Sequence, residues 1–154
     1  MEKSIKRVAV YLRTTKEEML DLDLDGIYEI SAQEKACVEF CNQWPDKEIV
    51  TFRDISSGTL SVEERPGLKS LLERACSGEF DAVVVFRIDR LSRNIKMLLD
   101  IVEELGSSTD LYSATEPLNT RETMGRAILN MLATFATLEK GVTNHRHCTC
   151  EHCC

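Results

Sequence analysis

Four short apolar runs, separated by stretches with helical spacing, limit what this chain can fold into. The clearest is Ala82-Val-Val-Val-Phe86, flanked by Asp81 and Arg87. A β-branched run of that length suits a strand buried on both faces, as in a parallel sheet. Lys6 to Leu12, Glu48 to Asp54 and Asp110 to Ala114 read the same way, so the third strand is set at Asp81 to Ile88. Between them, Leu68, Leu71, Leu72 and Ala75 recur at helical spacing, as do Leu98, Ile101, Val102 and Leu105. Strands alternating with amphipathic helices predict an α/β fold: a mainly parallel, four- to five-stranded sheet with helices on both faces.

Local signals set the expected boundaries. Ser31-Ala-Gln-Glu34 fits a capping box and predicts a helix start after an acidic connection that carries Leu20, Leu22 and Leu24. That helix would turn Ala36, Cys37, Phe40 and Cys41 to one side and stop near Trp44-Pro45. Pro66 suits a first helical turn, and Gly78 and Gly106 suit helix ends. A last helix starting at Thr120 or Thr123 carries Met124, Ala127, Ile128, Met131, Leu132, Phe135 and Leu138. This stripe is either core or a face that meets another subunit, a use that methionine suits.

Bulk properties exclude some function classes. At 154 residues the chain has room for one domain with a full core. No apolar run is long enough to span a bilayer, and the amino terminus does not read as a signal sequence, so a cytoplasmic protein without a membrane partner is expected. The net charge of −7 argues against a stand-alone nucleic-acid binder, but not against a catalytic module whose basic residues gather at one site. Cys37, Cys41 and Cys76 are expected to be buried small apolar residues.

The chemistry lies at predicted strand ends, where open α/β sheets bind ligands. Arg13 and Thr15 follow strand one, Arg65 precedes a helix, and Asp89, Arg90 and Arg93 follow strand three. If strands one and three are neighbours, Arg13, Thr15, Asp89 and Arg90 converge. A hydroxyl among guanidiniums suits phosphoryl transfer, because the arginines neutralise charge on the phosphorus oxygens. No glycine-rich phosphate loop and no carboxylate cluster for two metals is evident.

The segments Val8-Ala-Val-Tyr-Leu-Arg13-Thr-Thr15, Ile30-Ser-Ala-Gln33, Asp54-Ile-Ser-Ser-Gly58, Glu64-Arg-Pro-Gly-Leu68, Asp89-Arg-Leu-Ser-Arg93 and Glu116-Pro-Leu-Asn-Thr120 occur in an order that resembles the serine recombinases. Met124-Gly-Arg126 and Phe135-Ala-Thr-Leu-Glu139 extend the likeness to about residue 140. This group comprises the resolvases, invertases and large serine integrases. The resemblance implies a catalytic domain over 1–140 that ends in a long oligomerisation helix. Its partner would be double-stranded DNA at a specific recombination site. The chain would act as a homodimer, and as a tetramer in the synaptic complex, without metal, ATP or other cofactor. A serine attacks the phosphodiester, forms a 5′-phosphoserine link and releases a 3′-hydroxyl. By position, Arg13, Arg65, Arg90 and Arg93 would contact the scissile phosphate or organise its surroundings. Asp89 would orient them or relay a proton, and Gln33 and Asp54 would support the site.

The sequence departs from that pattern in three places. Thr15 stands where the family has its serine nucleophile. Its extra methyl restricts the side-chain torsion and crowds in-line attack, so weak or absent activity is expected. Thr14 is one residue off and would point to the other side of an extended chain. Lys140-Gly141 interrupts the expected charged helix, and the residues after it are not expected to form a DNA-binding region. A catalytically silent oligomerisation or regulatory module is the alternative; a flavodoxin-like nucleotide binder is a third reading. Residues 141–154 form a Cys/His-rich tail in which Cys148, Cys150, His152, Cys153 and Cys154 are candidate metal ligands. One Cys-x-x-Cys pair is half a zinc site, so a disordered or non-native end is the plainer expectation.

Overall fold

Strand β1 (Arg7–Thr14) forms the spine of the domain. In the computed structural model it pairs in parallel with β2 (Glu48–Ile55) on one side and β3 (Ala82–Val85) on the other. β4 (Asp110–Ser113) pairs in parallel with β3 and completes the order β2-β1-β3-β4. The structure describes residues 4–15, 25–57, 60–106, 108–116, 118–132 and 134, with residues 25–31 described by their backbone only.

Parity along β1 divides the core into two layers. Val8, Val10 and Leu12 face α1 (Asp25–Cys41) and pack with Cys37, Cys41, Ala82 and Val84. Ala9 and Tyr11 face the other way. They pack with Leu68, Leu71 and Leu72 of α2 (Pro66–Cys76), and with a helix introduced below. Parallel crossovers place helices on both faces, which is why every β1 residue from Val8 to Thr14 is buried. β2 is a sheet edge and half-exposed over much of its length.

Short-range chemistry explains most boundaries. Pro66 begins α2, preceded by a 3₁₀ turn at Val62–Glu64. Asn94 caps α4 (Ile95–Leu105): its side-chain oxygen accepts from the Lys96 and Met97 amides at 3.0 and 3.4 Å. Leu98, Ile101 and Leu105 of α4 are buried in the Tyr11 layer. Gly78 and Gly106 follow their helices at φ 78° and 66°, where a side chain would be strained.

Several expectations need correction. The first helix begins at Asp25, so Ser31 lies within it and does not cap its start. Arg13 and Thr14 belong to β1 rather than to the loop after it. β3 ends at Val85, and Ile88 to Leu91 form a separate short helix, α3. Cys76 is exposed, because it is the last residue of α2 and flanks the buried stripe, with its Sγ donating to Glu104 O at 3.5 Å.

The last described helix, α5 (residues 123–132), presents its stripe differently from core packing. Met124 and Met131 are 70% and 61% exposed, whereas Leu129 is buried in the Tyr11 layer. Gly125 is also buried, and a Cβ there would run into the Asn119 carbonyl. The close approach at Gly125, one turn from Leu129, selects the inward face and turns the methionines out. The acidic connection with Leu20, Leu22 and Leu24 lies outside the described residues. So do Phe135, Leu138, Lys140, Gly141 and the Cys/His tail. No helix among the described residues is long and apolar enough to cross a membrane.

Candidate functional site

Strand parity carries Tyr11 and Arg13 to the carboxyl end of the sheet on the α2 side. The register sets Arg13 beside Asp54 of β2. Arg13 is buried and all three of its guanidine nitrogens donate to carbonyls. Nε reaches Arg90 O at 2.8 Å, Nη1 reaches Ser56 O at 2.8 Å, and Nη2 reaches Asp89 O at 3.1 Å. A planar fork can satisfy three backbone acceptors at once, which an ammonium cannot do with this geometry. In return, Arg90 Nη1 donates to Arg13 O at 3.4 Å. β1, the end of β2 and α3 are thus tied at one point.

Arg65 enters from the turn before α2 and is fully buried. Its Nη2 and Nε donate to the Tyr11 hydroxyl at 2.7 and 3.2 Å, and Nη2 also donates to Arg90 O at 3.2 Å. The guanidinium carbon lies 5.3 Å from the Tyr11 ring centroid, within range for a cation–π contact. The Tyr11 hydroxyl donates onward to Asp54 Oδ2 at 2.8 Å. Asp54 also accepts from the Gly67 and Leu68 amides at 2.7 and 2.8 Å, which fixes the first turn of α2. Gly67 has no room for a side chain, since a Cβ would sit 2.6 Å from Arg53 O and 2.8 Å from Asp54 Oδ1.

The electrostatics follow from crowding. Burial, then the like charges of Arg65 and Arg90, pull the Arg13 guanidinium below its ordinary value. Arg93 adds to the same effect from an exposed position. Burial pushes the Tyr11 phenol well above its ordinary value, against the opposing pull of Arg65. The result is concentrated positive charge with a neutral phenol relaying between a guanidinium and a carboxylate. Arg65 Nη1 and the Ser56 hydroxyl are buried without a protein partner among the described residues. Buried donors of that kind call for an acceptor.

The other predicted residues fall in different places. Thr15 is the residue after β1, half-buried, and shares the parity of Tyr11 and Arg13; Thr14 is fully buried on the opposite parity. Asp89 contributes its carbonyl to Arg13, while its exposed carboxylate faces Arg87 Nε at 3.8 Å. Gln33 lies on α1, which covers the opposite layer. It is buried, and neither amide atom has a protein partner among the described residues. Among the described residues no cluster of His, Cys, Asp or Glu is placed to hold a metal ion; Cys148, Cys150, His152, Cys153 and Cys154 lie outside them.

Sequence reasoning missed Tyr11, the residue at the centre of the network. Its signal was present: a tyrosine inside a buried strand needs a partner for its hydroxyl, and Tyr11 is two residues from Arg13. Gly67 and Ser56 gave no such signal, since their importance comes from which groups the fold brings against them.

An open parallel α/β domain with a buried arginine network at the carboxyl edge of its sheet defines the class. The pattern described as Resolvase, N terminal domain, matches residues 8–148, and the chain belongs to that family. It is 37% identical over 90 residues to the serine recombinase gin of Escherichia phage Mu, covering 58% of this chain and 45% of that protein. It is 32% identical over 124 residues to the transposon Tn552 DNA-invertase BinR of Staphylococcus aureus, covering 79% of this chain and 59% of that one. The chain therefore spans about half the length of these relatives. Among solved structures, the N-terminal catalytic domain of TP901-1 integrase aligns with TM-score 0.73 and 25% identity, covering 89% of this chain and 98% of that one. A resolvase family site-specific recombinase from Streptococcus pneumoniae shares the fold, with TM-score 0.72, 20% identity and coverage of 94% and 96%.

Proposed function

We propose that this chain is the catalytic domain of a site-specific DNA recombinase, with Thr15 as its nucleophile. The observation that carries the reading is the meeting of Arg13, Arg65 and Arg90 at the end of β1, next to Thr15. Thr15 Oγ1 attacks the scissile phosphorus, the bond to the 3′-oxygen breaks, and that oxygen leaves with a proton as the 3′-hydroxyl. The 5′-phosphate stays on the protein. Rejoining is the reverse attack by a 3′-hydroxyl, so the bond energy is conserved in the ester. Charge grows on the non-bridging oxygens during attack. Arg90 and Arg93, nearer solvent, meet it directly, and the buried Arg13 and Arg65 supply a field that no water screens. Asp54 and Tyr11 hold Arg65 in place. Asp89 acts through its carbonyl as a positioning group, and Gln33 supports the site from the α1 layer.

The β-methyl of Thr15 slows the attack, because it removes freedom about χ1 that in-line geometry needs. That same residue favours a second reading, a silent module that keeps the fold and assembles without cleaving. The exposed Met124 and Met131 support assembly as a homodimer through α5, and as a tetramer on DNA, with double-stranded recombination-site DNA as partner.

One experiment separates the readings. The chain and its Thr15→Ser variant, each joined to a DNA-binding domain, are incubated with supercoiled DNA carrying the matching site. A covalent protein–DNA adduct from the serine form, with about 100-fold less from the parent, is expected. No adduct from either form overturns the catalytic reading in favour of the silent module.

A further inference from the structure

The backbone carbonyls of Asp89 and Arg90 are acceptors shared by Arg13 and Arg65, beside Ser56 O and the Tyr11 hydroxyl, so what fixes α3 helps to fix the arginine network. α3 is a single turn, too short to hold its own position. Its first amide, Ile88 N, donates to Glu116 Oε2 at 3.0 Å. The same oxygen accepts from the Ser113 hydroxyl at 3.2 Å. Around this point the chain leaving β4 grips the one leaving β3. Ala114 N donates to Val85 O at 2.8 Å, and Thr115 Oγ1 and Thr115 N donate to Phe86 O at 2.7 and 3.3 Å. Glu116 is half-buried and shares the wall of a cavity of about 480 Å³ with Asp89, Ser92 and Arg93.

We propose that Glu116 is a positioning residue for the arginine site: its carboxylate fastens the start of α3 to the end of β4 and thereby sets the carbonyls that aim Arg13 and Arg65. The inference goes one step beyond the functional reading above and rests on it for its catalytic meaning. A carboxylate suits the task because it meets the amide of a helix amino end with charge as well as a hydrogen bond. Four residues further on, Thr120 O accepts from Arg126 Nε of α5 at 2.5 Å, and Thr120 Oγ1 accepts from Leu111 N at 2.9 Å. Glu116 therefore stands on the covalent path between α5 and the arginine site.

The test compares Glu116→Ala, Glu116→Asp and Glu116→Gln in the 154-residue chain by NMR hydrogen exchange. Glutamine keeps an acceptor at full reach; aspartate keeps the charge but falls one methylene short of Ile88 N. The Arg13 Nε–H signal is the specific readout, because its acceptor is Arg90 O. Exchange at Arg13 Nε–H and at Ile88 N should rise about tenfold in the alanine and aspartate forms and stay within about threefold in the glutamine form. Leu68 N, held by Asp54, should stay within about threefold in all of them. Unchanged exchange at Arg13 in the alanine and aspartate forms overturns the proposal, as does an equal rise at Leu68. If the alanine form does not fold, the aspartate–glutamine contrast decides alone. In the Thr15→Ser adduct assay, the aspartate form should lose about tenfold in yield and the glutamine form less than about threefold. A Thr15→Ser parent that makes no adduct counts against the functional reading, while the exchange result still decides the role of Glu116.

Discussion

Replacing Tyr11 with phenylalanine tests whether the buried network is energetically real. The change removes one oxygen and leaves the ring among its neighbours in the Ala9 layer. That oxygen accepts from Arg65 at 2.7 and 3.2 Å and donates to Asp54 at 2.8 Å. Asp54 keeps its bonds from Gly67 and Leu68, so its loss is partial. Arg65 keeps the one donation to Arg90 O, at 3.2 Å, while remaining fully buried. Hydrogen bonds to charged groups contribute about 1.5–3 kcal/mol each, and an under-partnered buried charge adds to the loss, so a fall of about 2–4 kcal/mol is expected. In a chain of this size each kcal/mol moves Tm by about 2–4 °C, which gives a drop of roughly 5–15 °C. Urea unfolding of parent and variant measures the difference directly. A loss below about 0.5 kcal/mol with unchanged denaturant slope would refute the reasoning, since that is the range of a surface substitution. The pH dependence supplies a second check. Tyr11 has a raised folded-state pKa, so its contribution is complete below the unfolded tyrosine value near ~10 and is lost as pH rises beyond it. The gap between parent and Tyr11→Phe should therefore narrow at alkaline pH.

Three further outcomes are expected. Gly67→Ala should cost about 2–4 kcal/mol, read as a lowered Tm, because the new Cβ meets Arg53 O and Asp54 Oδ1 and must push α2 off the Asp54 carboxylate. Burial pushes the Cys37 thiol up to about 12 and Cys41 up to about 11. The folded values are raised, so this stability is intact below the unfolded thiol pKa of about 8.5 and declines above it by up to ~1.4 kcal/mol per pH unit per thiol. Urea midpoints between about pH 8.5 and 10 should show a shallower decline for Cys37→Ala. Met124→Glu combined with Met131→Glu should yield a monomer by light scattering with under about 1 kcal/mol change in urea stability, because both side chains are exposed in the single chain. A parent that is itself monomeric at micromolar concentration counts against dimerisation through α5.

The strand–helix alternation was legible because burial on both faces of a parallel strand selects continuous β-branched runs, as at Val83 to Val85. The core faces of α2 and α4 were legible for a related reason: one buried stripe repeats at the helical period. Boundaries were less so. Ser31 carries a cap signature inside a helix, since a short motif cannot register that the turn before it is also helical. The stripe on α5 shows the same limit from another side. Its periodicity marks a face but not whether that face meets the core, and the close approach at Gly125 decided the orientation.

The sequence by itself determined the main strand–helix alternation, the parallel character of the sheet and the candidate arginines, because these depend on composition and spacing over a few residues. Only the tertiary structure decided that Tyr11 lies between Arg65 and Asp54, that the Asp89 carbonyl accepts from Arg13, and that the Glu116 carboxylate accepts from Ile88 N. Those facts depend on groups separated by 28 to 76 positions in the chain. Such pairings arise when β1 lies between β2 and β3, and nothing within any one segment encodes the distance between its side chains and those of another.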